Sequence, residues 1–447
     1  MKQYESYKDS GIQWLGKIPS HWPIVPLKYN LSLKGRIGWN GLKSDEFKEE
    51  SYAYLVTGQD FVKADIDWSK CYQIGKERYD EDPFIQLANG DLLVTKDGTI
   101  GKVAKVSGLD KPACLNSGIF VVKQIKNVFI QDFLYWTFVS NQLIDFNNFN
   151  STGSTIQHLY QNVFENMPLL VPCIDEQRTI SSYLNYKVGQ VDAVIAEKEQ
   201  MLEDLKAYRS AIISEAVTKG LDKNVEMKDS GIEWCGKIPK HWKINKLKNI
   251  SKVSTGTTPS TSIERYWNSP TENWYTPSDF NDDDIYLTTS SRKVTIEAFN
   301  DIACKVFKKG VVLVVGIGAT LGKVGISKDI CSANQQINAI EFDDRILPVF
   351  GAYYLSSLKD VMKSVANSAT LAIMNQSITG DLPLIYPSIE EQDSIITYLD
   401  DKTSMIKRSI DEILSQITDL KAYKSSIITE AVTGKVDLRD WEPNNNV

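Results

Sequence analysis

The run Gly316-Ile317-Gly318-Ala319-Thr320-Leu321-Gly322-Lys323 has the residue types of a loop that cradles nucleotide phosphates, but its spacing fails that chemistry. Five residues separate Gly316 from Gly322-Lys323, three separate Gly318 from the same pair, and Val324 stands where a Ser or Thr would bind magnesium. The earlier run Asp97-Gly98-Thr99-Ile100-Gly101-Lys102 departs further still. Both read as hairpin turns whose glycines admit a partner's phosphate close to the backbone, with Lys102 and Lys323 beside it. No other catalytic constellation emerges. The chain lacks a cofactor glycine loop and an Asn-Pro-Pro-aromatic tetrapeptide, which methyl transfer to a base would require. Its three histidines are His21, His158 and His241, and two of them stand beside Trp22 and Trp242. Those two read as framework histidines packed on tryptophan, since no cluster of metal ligands surrounds them. Asp282-Asp283-Asp284 reads as a solvated acidic turn.

What remains is chemistry of contact. Lys34, Arg36, Trp39 and Lys43 are interleaved with Gly35, Gly38 and Gly41, a basic and aromatic stretch suited to phosphates and bases. Lys96, Thr99 and Lys102 of the first turn, with Lys323 of the second, extend that set. At the place corresponding to Lys34–Lys43, the second half of the chain has Thr255-Gly256-Thr257-Thr258-Pro259-Ser260, followed by Arg265-Tyr266-Trp267. Two hydroxyl and amide clusters follow: Ser151, Thr152, Ser154, Thr155 and Gln157, then Asn367, Ser368, Thr370, Asn375 and Gln376. Such side chains hold phosphates or read the edges of adenine and guanine. The expected assignment is phosphate contact from Lys34, Arg36, Lys43, Lys102, Arg265 and Lys323, with base reading by the polar loops.

The elements that must position these residues occur twice. Residues 8–22, KDSGIQWLGKIPSHW, match residues 228–242, KDSGIEWCGKIPKHW, at 12 of 15 positions. Residues 176–222 match 391–437 without a gap at 21 of 47 positions, including LKAY at 205 and 420. The middles keep register while their side chains diverge: Thr57, Asp60 and Phe61 recur as Thr276, Asp279 and Phe280. A kept framework with diverged middles predicts two similar modules that read two different things. Short β-branched runs such as 91–95, 102–106, 119–122, 311–315 and 337–342 predict strands, and 132–141 and 348–364 predict helices.

Both matched tails carry a seam of apolar residues at alternating four and three spacing. The first is Leu184, Val188, Val191, Ile195, Leu202, Leu205, Ile212 and Ala216, interrupted by Lys198 and Arg209. The second is Leu399, Ile406, Ile410, Ile413, Ile417, Leu420, Ile427 and Ala431, interrupted by Thr403 and Lys424. Acids at 175–176 and 390–391 mark the starts, and Gly220 and Gly434 the ends. Each tail is predicted to be a helix of roughly 60 Å. Neither stripe can stay wet, so the two are expected to pair antiparallel about a pseudo-two-fold axis. The predicted organisation is α/β (α+β): a module at 1–174, a helix at 175–222, a second module at 223–389, a helix at 390–437 and a flexible tail at 438–447.

Composition limits the partners. With 42% apolar and 24% charged residues the chain is a globular protein of several domains, and its net charge of −7 excludes a globally basic nucleic-acid binder. That acidity sits mostly in the two tails, so local basic loops remain available for DNA. Six cysteines without a C-x-x-C pair, and no apolar segment at the start, point to reduced thiols in the cytoplasm. The longest apolar run, 310–319, is about half the length that crosses a bilayer, so no membrane role is expected.

In this order and in duplicate, the motifs resemble the specificity subunit of type I restriction-modification systems. The resemblance rests on the heads GKIPSHW and GKIPKHW, the Pro-x-x-x-Glu-Gln helix starts at Pro172 and Pro387, the Thr-Pro-Ser and Tyr-Trp run at 258–267, and the LKAY and EAVT tails. It implies two target recognition domains, each reading one half of a bipartite, asymmetric site in double-stranded DNA, separated by a helical spacer. It further implies two modification subunits, which carry the adenine methyltransferase and its S-adenosylmethionine, and two ATP-dependent restriction subunits. The chain itself would hold no cofactor and perform no chemistry. It would space the half-sites by about one helical turn, roughly 34 Å, while the partner flips the adenine. The competing expectation is a coiled-coil adaptor that binds DNA or protein outside restriction.

Overall fold

The computed structural model describes residues 2–36, 42–150, 158–366 and 373–443. They form two compact units, one of Met1–Lys198 with Ser415–Val447, the other of Glu199–Leu414. Each unit therefore takes one module and a half of each long helix.

In the first unit an antiparallel sheet is built from β1 (Leu31–Gly35), β4 (Leu92–Thr95), β5 (Val103–Lys105) and β7 (Ile119–Gln124), in the order β5-β4-β7-β1. A second sheet combines β2 (Ala53–Val56), β3 (Tyr72–Ile74) and β6 (Ala113–Leu115), with β2 and β6 parallel. These strands alternate with turns rich in Gly, Asn and Asp, and β4 is buried on both faces. Helix α1 (Gln131–Val139) packs beside β5, and its Phe133, Leu134 and Phe138 join Trp22, Leu31, Val94 and Phe120 in one core. The long helix α2 (Ile174–Lys219) begins in this unit.

The second unit repeats the plan. Its larger sheet runs β8 (Ser251–Thr255), β15 (Ile337–Phe342), β12 (Val312–Val315), β13 (Val324–Ser327) and β10 (Tyr286–Leu287). Its smaller sheet runs β11 (Lys293–Val294), β9 (Glu272–Tyr275) and β14 (Cys331–Ala333), again with one parallel pair. Helix α3 (Pro348–Ser357) takes the place of α1, and α4 (Ile389–Val432) is the second long helix. The predicted helix at 348–364 is broken: a turn at Leu358 separates α3 from a short helix at Lys359–Val365. Left-handed Gly220 and Gly434, at φ +76° and +67°, end the two long helices where a side chain would be strained.

The seams are buried as their spacing requires, except that Leu205 and Leu420 are only half-buried. In the first unit the helices run antiparallel, because Lys198 Nζ reaches Gln416 Oε1 at 2.5 Å while Asp192 pairs with Lys424 at 2.7 Å. In the second, Gly220 at the end of α2 lies against Glu391 at the start of α4. Every polar interruption of a seam has a partner. Beyond Lys198 and Lys424, Thr403 Oγ1 donates to Leu399 O and meets the Tyr353 hydroxyl, and Arg209 donates from Nη1 to Asp282 O.

Two expectations fail here. The acidic turn is not simply solvated: Asp282 pairs with Lys359 at 2.7 Å and Asp284 with Lys407 of α4 at 2.9 Å. Burial acts to raise the Asp284 carboxyl, but the Lys407 ammonium and the Tyr286 N–H outweigh it and hold the group below the usual range. Nor is the tail free over its described length. Leu438 is buried in the first core, and Trp441 meets Tyr183 of α2 edge-on at 5.4 Å, an apolar pair that outweighs the entropy of a loose end.

Candidate DNA interface

A duplicated clasp explains why the head and tail motifs travel together. Trp22 is fully buried, and its Nε1 donates to Glu176 of α2, which also meets His21 Nε2 at 3.0 Å. Trp242 Nε1 donates to Glu391 of α4 at 3.1 Å, and His241 Nε2 lies 2.8 Å from the same carboxylate. The next residue locks the module to its helix. Gln177 donates to Val128 O and Pro172 O and accepts from Ile130 N, and Gln392 does the same with Arg345 O, Pro387 O and Leu347 N. His21 meets Trp22 edge-on at 6.4 Å, as the framework reading expects, and His241 shares the Glu391 carboxylate with Trp242, the helix glutamate being in both cases the partner the sequence alone did not supply.

A second duplicated constellation lies at one end of each larger sheet. In the first unit Thr95 N donates to Lys102 O, Gly101 N to Thr95 O, Lys96 N to Gly118 O and Leu159 N to Lys96 O. In the second the same bonds run from Val315 to Lys323, from Gly322 to Val315, from Gly316 to Gln336 and from Met374 to Gly316. Both glycine runs are thus hairpin turns, with Gly101 and Gly322 left-handed at φ +82° and +83°. Asn116 N to Val56 O, and Asn334 N to Tyr275 O, join the parallel strand ends to the same corner. Loops from both sheets therefore converge there.

In the first unit the corner is basic. Lys34 and Lys102 are exposed, and Lys96 is half-buried with its Nζ 5.0 Å from the Phe120 ring. Thr99 is exposed, its carbonyl held by Thr95 Oγ1, and His158 Nδ1 meets Asp97 at 2.6 Å. Lys43 is exposed on the following segment. Arg36 departs from expectation. It is 2% exposed, with Nε on Leu115 O at 3.0 Å and Nη2 on Cys114 Sγ at 3.5 Å, because the chain turns it under β6. Burial pushes the Cys114 thiol up to about 11 even beside that guanidinium. Arg36 is an internal strut and does not face a phosphate. Trp39, Ser154, Thr155 and Gln157, with Ser151 and Thr152, lie outside the described residues.

In the second unit the corner is amide- and hydroxyl-rich. Thr258 is exposed and bonds Gln335, while Gln376 Nε2 reaches Thr255 Oγ1 at 3.0 Å. Asn375 caps the helix at Gln376–Asp381 through Ile378 N. Thr257 is half-buried, its hydroxyl accepting from Lys305 N and its carbonyl from Trp274 Nε1. Two expected contacts, Tyr266 and Lys323, are turned inward, while Arg265 stays exposed in a surface ion pair. Arg265 pairs with Asp301 at 2.6 Å, Tyr266 is buried beneath it, and Lys323 Nζ donates to Phe280 O on the side facing Arg209. Thr370, with Asn367 and Ser368, lies outside the described residues.

Sequence reasoning missed Asn116, Ser117, Gln335 and Arg292. The signal for the first three was present: Asn116-Ser117-Gly118 and Asn334-Gln335-Gln336 occupy matching strand junctions with different side chains. Among the described residues no group of His, Cys, Asp and Glu could hold a metal ion, and no helix is long and apolar enough to cross a membrane.

This geometry, a twice-built sheet corner with a constant frame and variable side chains, is that of a duplicated DNA specificity domain. The chain matches the type I restriction modification DNA specificity domain family over residues 42–204 and again over 239–418. It belongs to the type I restriction-modification specificity subunit family. The MjaIX specificity subunit of Methanocaldococcus jannaschii is 32% identical over 227 residues, 49% of this chain and 48% of that protein. The match thus spans about half the length of that relative. The EcoBI specificity subunit of Escherichia coli is 24% identical over 388 residues, 79% of this chain and 75% of that protein. A solved chain of a type I R-M system shares the fold, with a TM-score of 0.71 at 16% identity over 94% of this chain and 99% of that one.

Proposed function

We propose that the chain is the non-catalytic specificity subunit of a cytoplasmic type I restriction-modification complex. Each module reads one half of a bipartite, asymmetric site in double-stranded DNA. The observation that carries this is the sheet corner built twice with the same backbone hydrogen bonds and different exposed side chains. A constant frame fixes how a loop meets the duplex, and changed side chains change what it reads. Lys34, Lys43, Lys96, Thr99 and Lys102 hold phosphates on one half-site, and Thr258, Gln335, Asn375 and Gln376 contact the other.

The antiparallel helices serve as the spacer and as the seat for two modification subunits, with two restriction subunits completing the assembly. The exposed LKAY tyrosines, Tyr208 and Tyr423, support such a seat because each leaves about half its surface uncovered on a long helix. In this role the chain aligns the duplex, and the partner flips and methylates adenine. A methylation assay on a genome-derived DNA library, with and without the modification subunit, tests the reading. Methylation of one bipartite motif that requires both chains is expected. Activity of this chain alone, or methylation with no bipartite motif, overturns it.

A further inference from the structure

In the second module Arg265 is paired with a carboxylate, whereas Arg292 lies over a pair of tryptophans. Trp267 and Trp274 meet edge-to-face, centroids 5.4 Å apart at 88°. Their indole N–H groups are fixed to Ser260 O and Thr257 O, at 3.1 and 3.0 Å, so both rings are pinned to the 257–260 loop. Arg292 lies across both, its Cζ 5.0 Å from each centroid. Its backbone is pinned too, because Ser290 Oγ donates to Arg292 O and accepts from Trp274 N. Arg265 is committed to Asp301. The Arg292 side chain is exposed, and among the described residues neither a carboxylate nor a carbonyl accepts from it.

With the rings at 88°, a planar guanidinium can lie parallel to only one of them, and those of its in-plane N–H donors that do not point into the other ring are left for an acceptor outside the protein. A donor fork held in one orientation, its rotamers already restricted by two rings, suits a planar acceptor pair at fixed geometry. In the major groove that pair is O6 and N7 of guanine. Phosphate contact makes no such demand, and a mobile lysine meets it equally well. Arg292 precedes β11, at the sheet corner that also carries Thr257, Thr258 and Gln335. We infer that Arg292, held on the Trp267–Trp274 platform, reads a guanine in the half-site recognised by the second module. This rests on the specificity reading above.

The test maps methylated adenines in a genome-derived library with the complex of this chain and its modification subunit, for wild type, Arg292→Ala and Arg292→Lys. Wild type should show at least one guanine in the second half-site. Arg292→Ala should relax that position and lower methylation of the wild-type motif roughly 10- to 100-fold, leaving the first half-site unchanged. Arg292→Lys should relax the same position, because an ammonium lacks the planar fork, and it carries the test if the alanine variant does not fold. A second half-site without guanine overturns the inference. So does an unchanged motif with uniformly weakened methylation that Arg292→Lys restores, which marks a phosphate contact. A wild-type complex with no bipartite motif overturns the specificity reading and this inference with it.

Discussion

The two sheet corners share a backbone and differ in chemistry. At the first, Lys34 and Lys102 are exposed, Lys96 is half-buried, and Asp97 of the turn meets His158. At the second, the matching turn has Ala319 and Leu321, its lysine faces inward to Phe280 O, and the exposed groups are Thr258, Gln335, Gln376 and Arg292. The contrast extends beneath the surface. Where the first module tucks Arg36 under the strand ends, the second has Gly256, whose missing side chain lets the backbone press on Ala333 O and Asn334 O. A Cβ there would stand 2.3 Å from the Ala333 oxygen. One frame thus tolerates a buried guanidinium or bare backbone at the same place, provided the hydrogen bonds that close the corner are kept.

The largest effect should come from exchanging residues 1–170 for another module of the same frame. One half of the methylated motif is expected to change completely and the other to stay; mapped motifs in which both halves change break the modular comparison. Next come the clasps. Glu176→Ala strands the buried Trp22 N–H and is expected to cost about 2–3 kcal/mol in chemical denaturation, whereas Glu391→Ala should cost about 1 kcal/mol. The ordering follows from exposure, since the Glu176 side chain is 6% exposed and Glu391 31%. Equal losses would remove the asymmetry.

Smaller changes should separate the surfaces. Lys34→Ala and Lys102→Ala are each expected to weaken DNA binding by the complex several-fold across all sequences, and to flatten the slope of log affinity against log salt by about 0.9. Gln335→Ala should leave that slope unchanged. The smallest effect concerns Asp284. Its folded value is depressed, so its contribution is present above the unfolded aspartate value, about 3.9, and lost as pH falls through the folded one. Stability of Asp284→Asn should therefore fall less than that of wild type below about pH 4, and parallel acid titrations would contradict the assignment.

Much of the organisation was legible along the chain. Local spacing sets the two long helices and their glycine ends, because seam periodicity and left-handed glycines are properties of neighbouring residues. Repetition revealed the modules and the turns at 96–102 and 316–323. The candidate contacts were read less well. Lys34, Lys102 and Gln376 are exposed as expected, but Arg36, Tyr266 and Lys323 are drawn inward by Leu115, Asp301 and Phe280, partners far away in sequence. Arg292 carried no local signal because its platform comes from Trp267 and Trp274, 25 and 18 residues away.

The sequence by itself therefore determined the duplication, the helices with their seams and the family. Tertiary structure alone decided which charges face outward. A lysine or arginine side chain is long enough to turn to either side of a sheet, and the side it takes depends on which carbonyl, carboxylate or aromatic face the fold brings within a few ångströms. Those acceptors sit on strands and loops that are remote in sequence, and only packing places them.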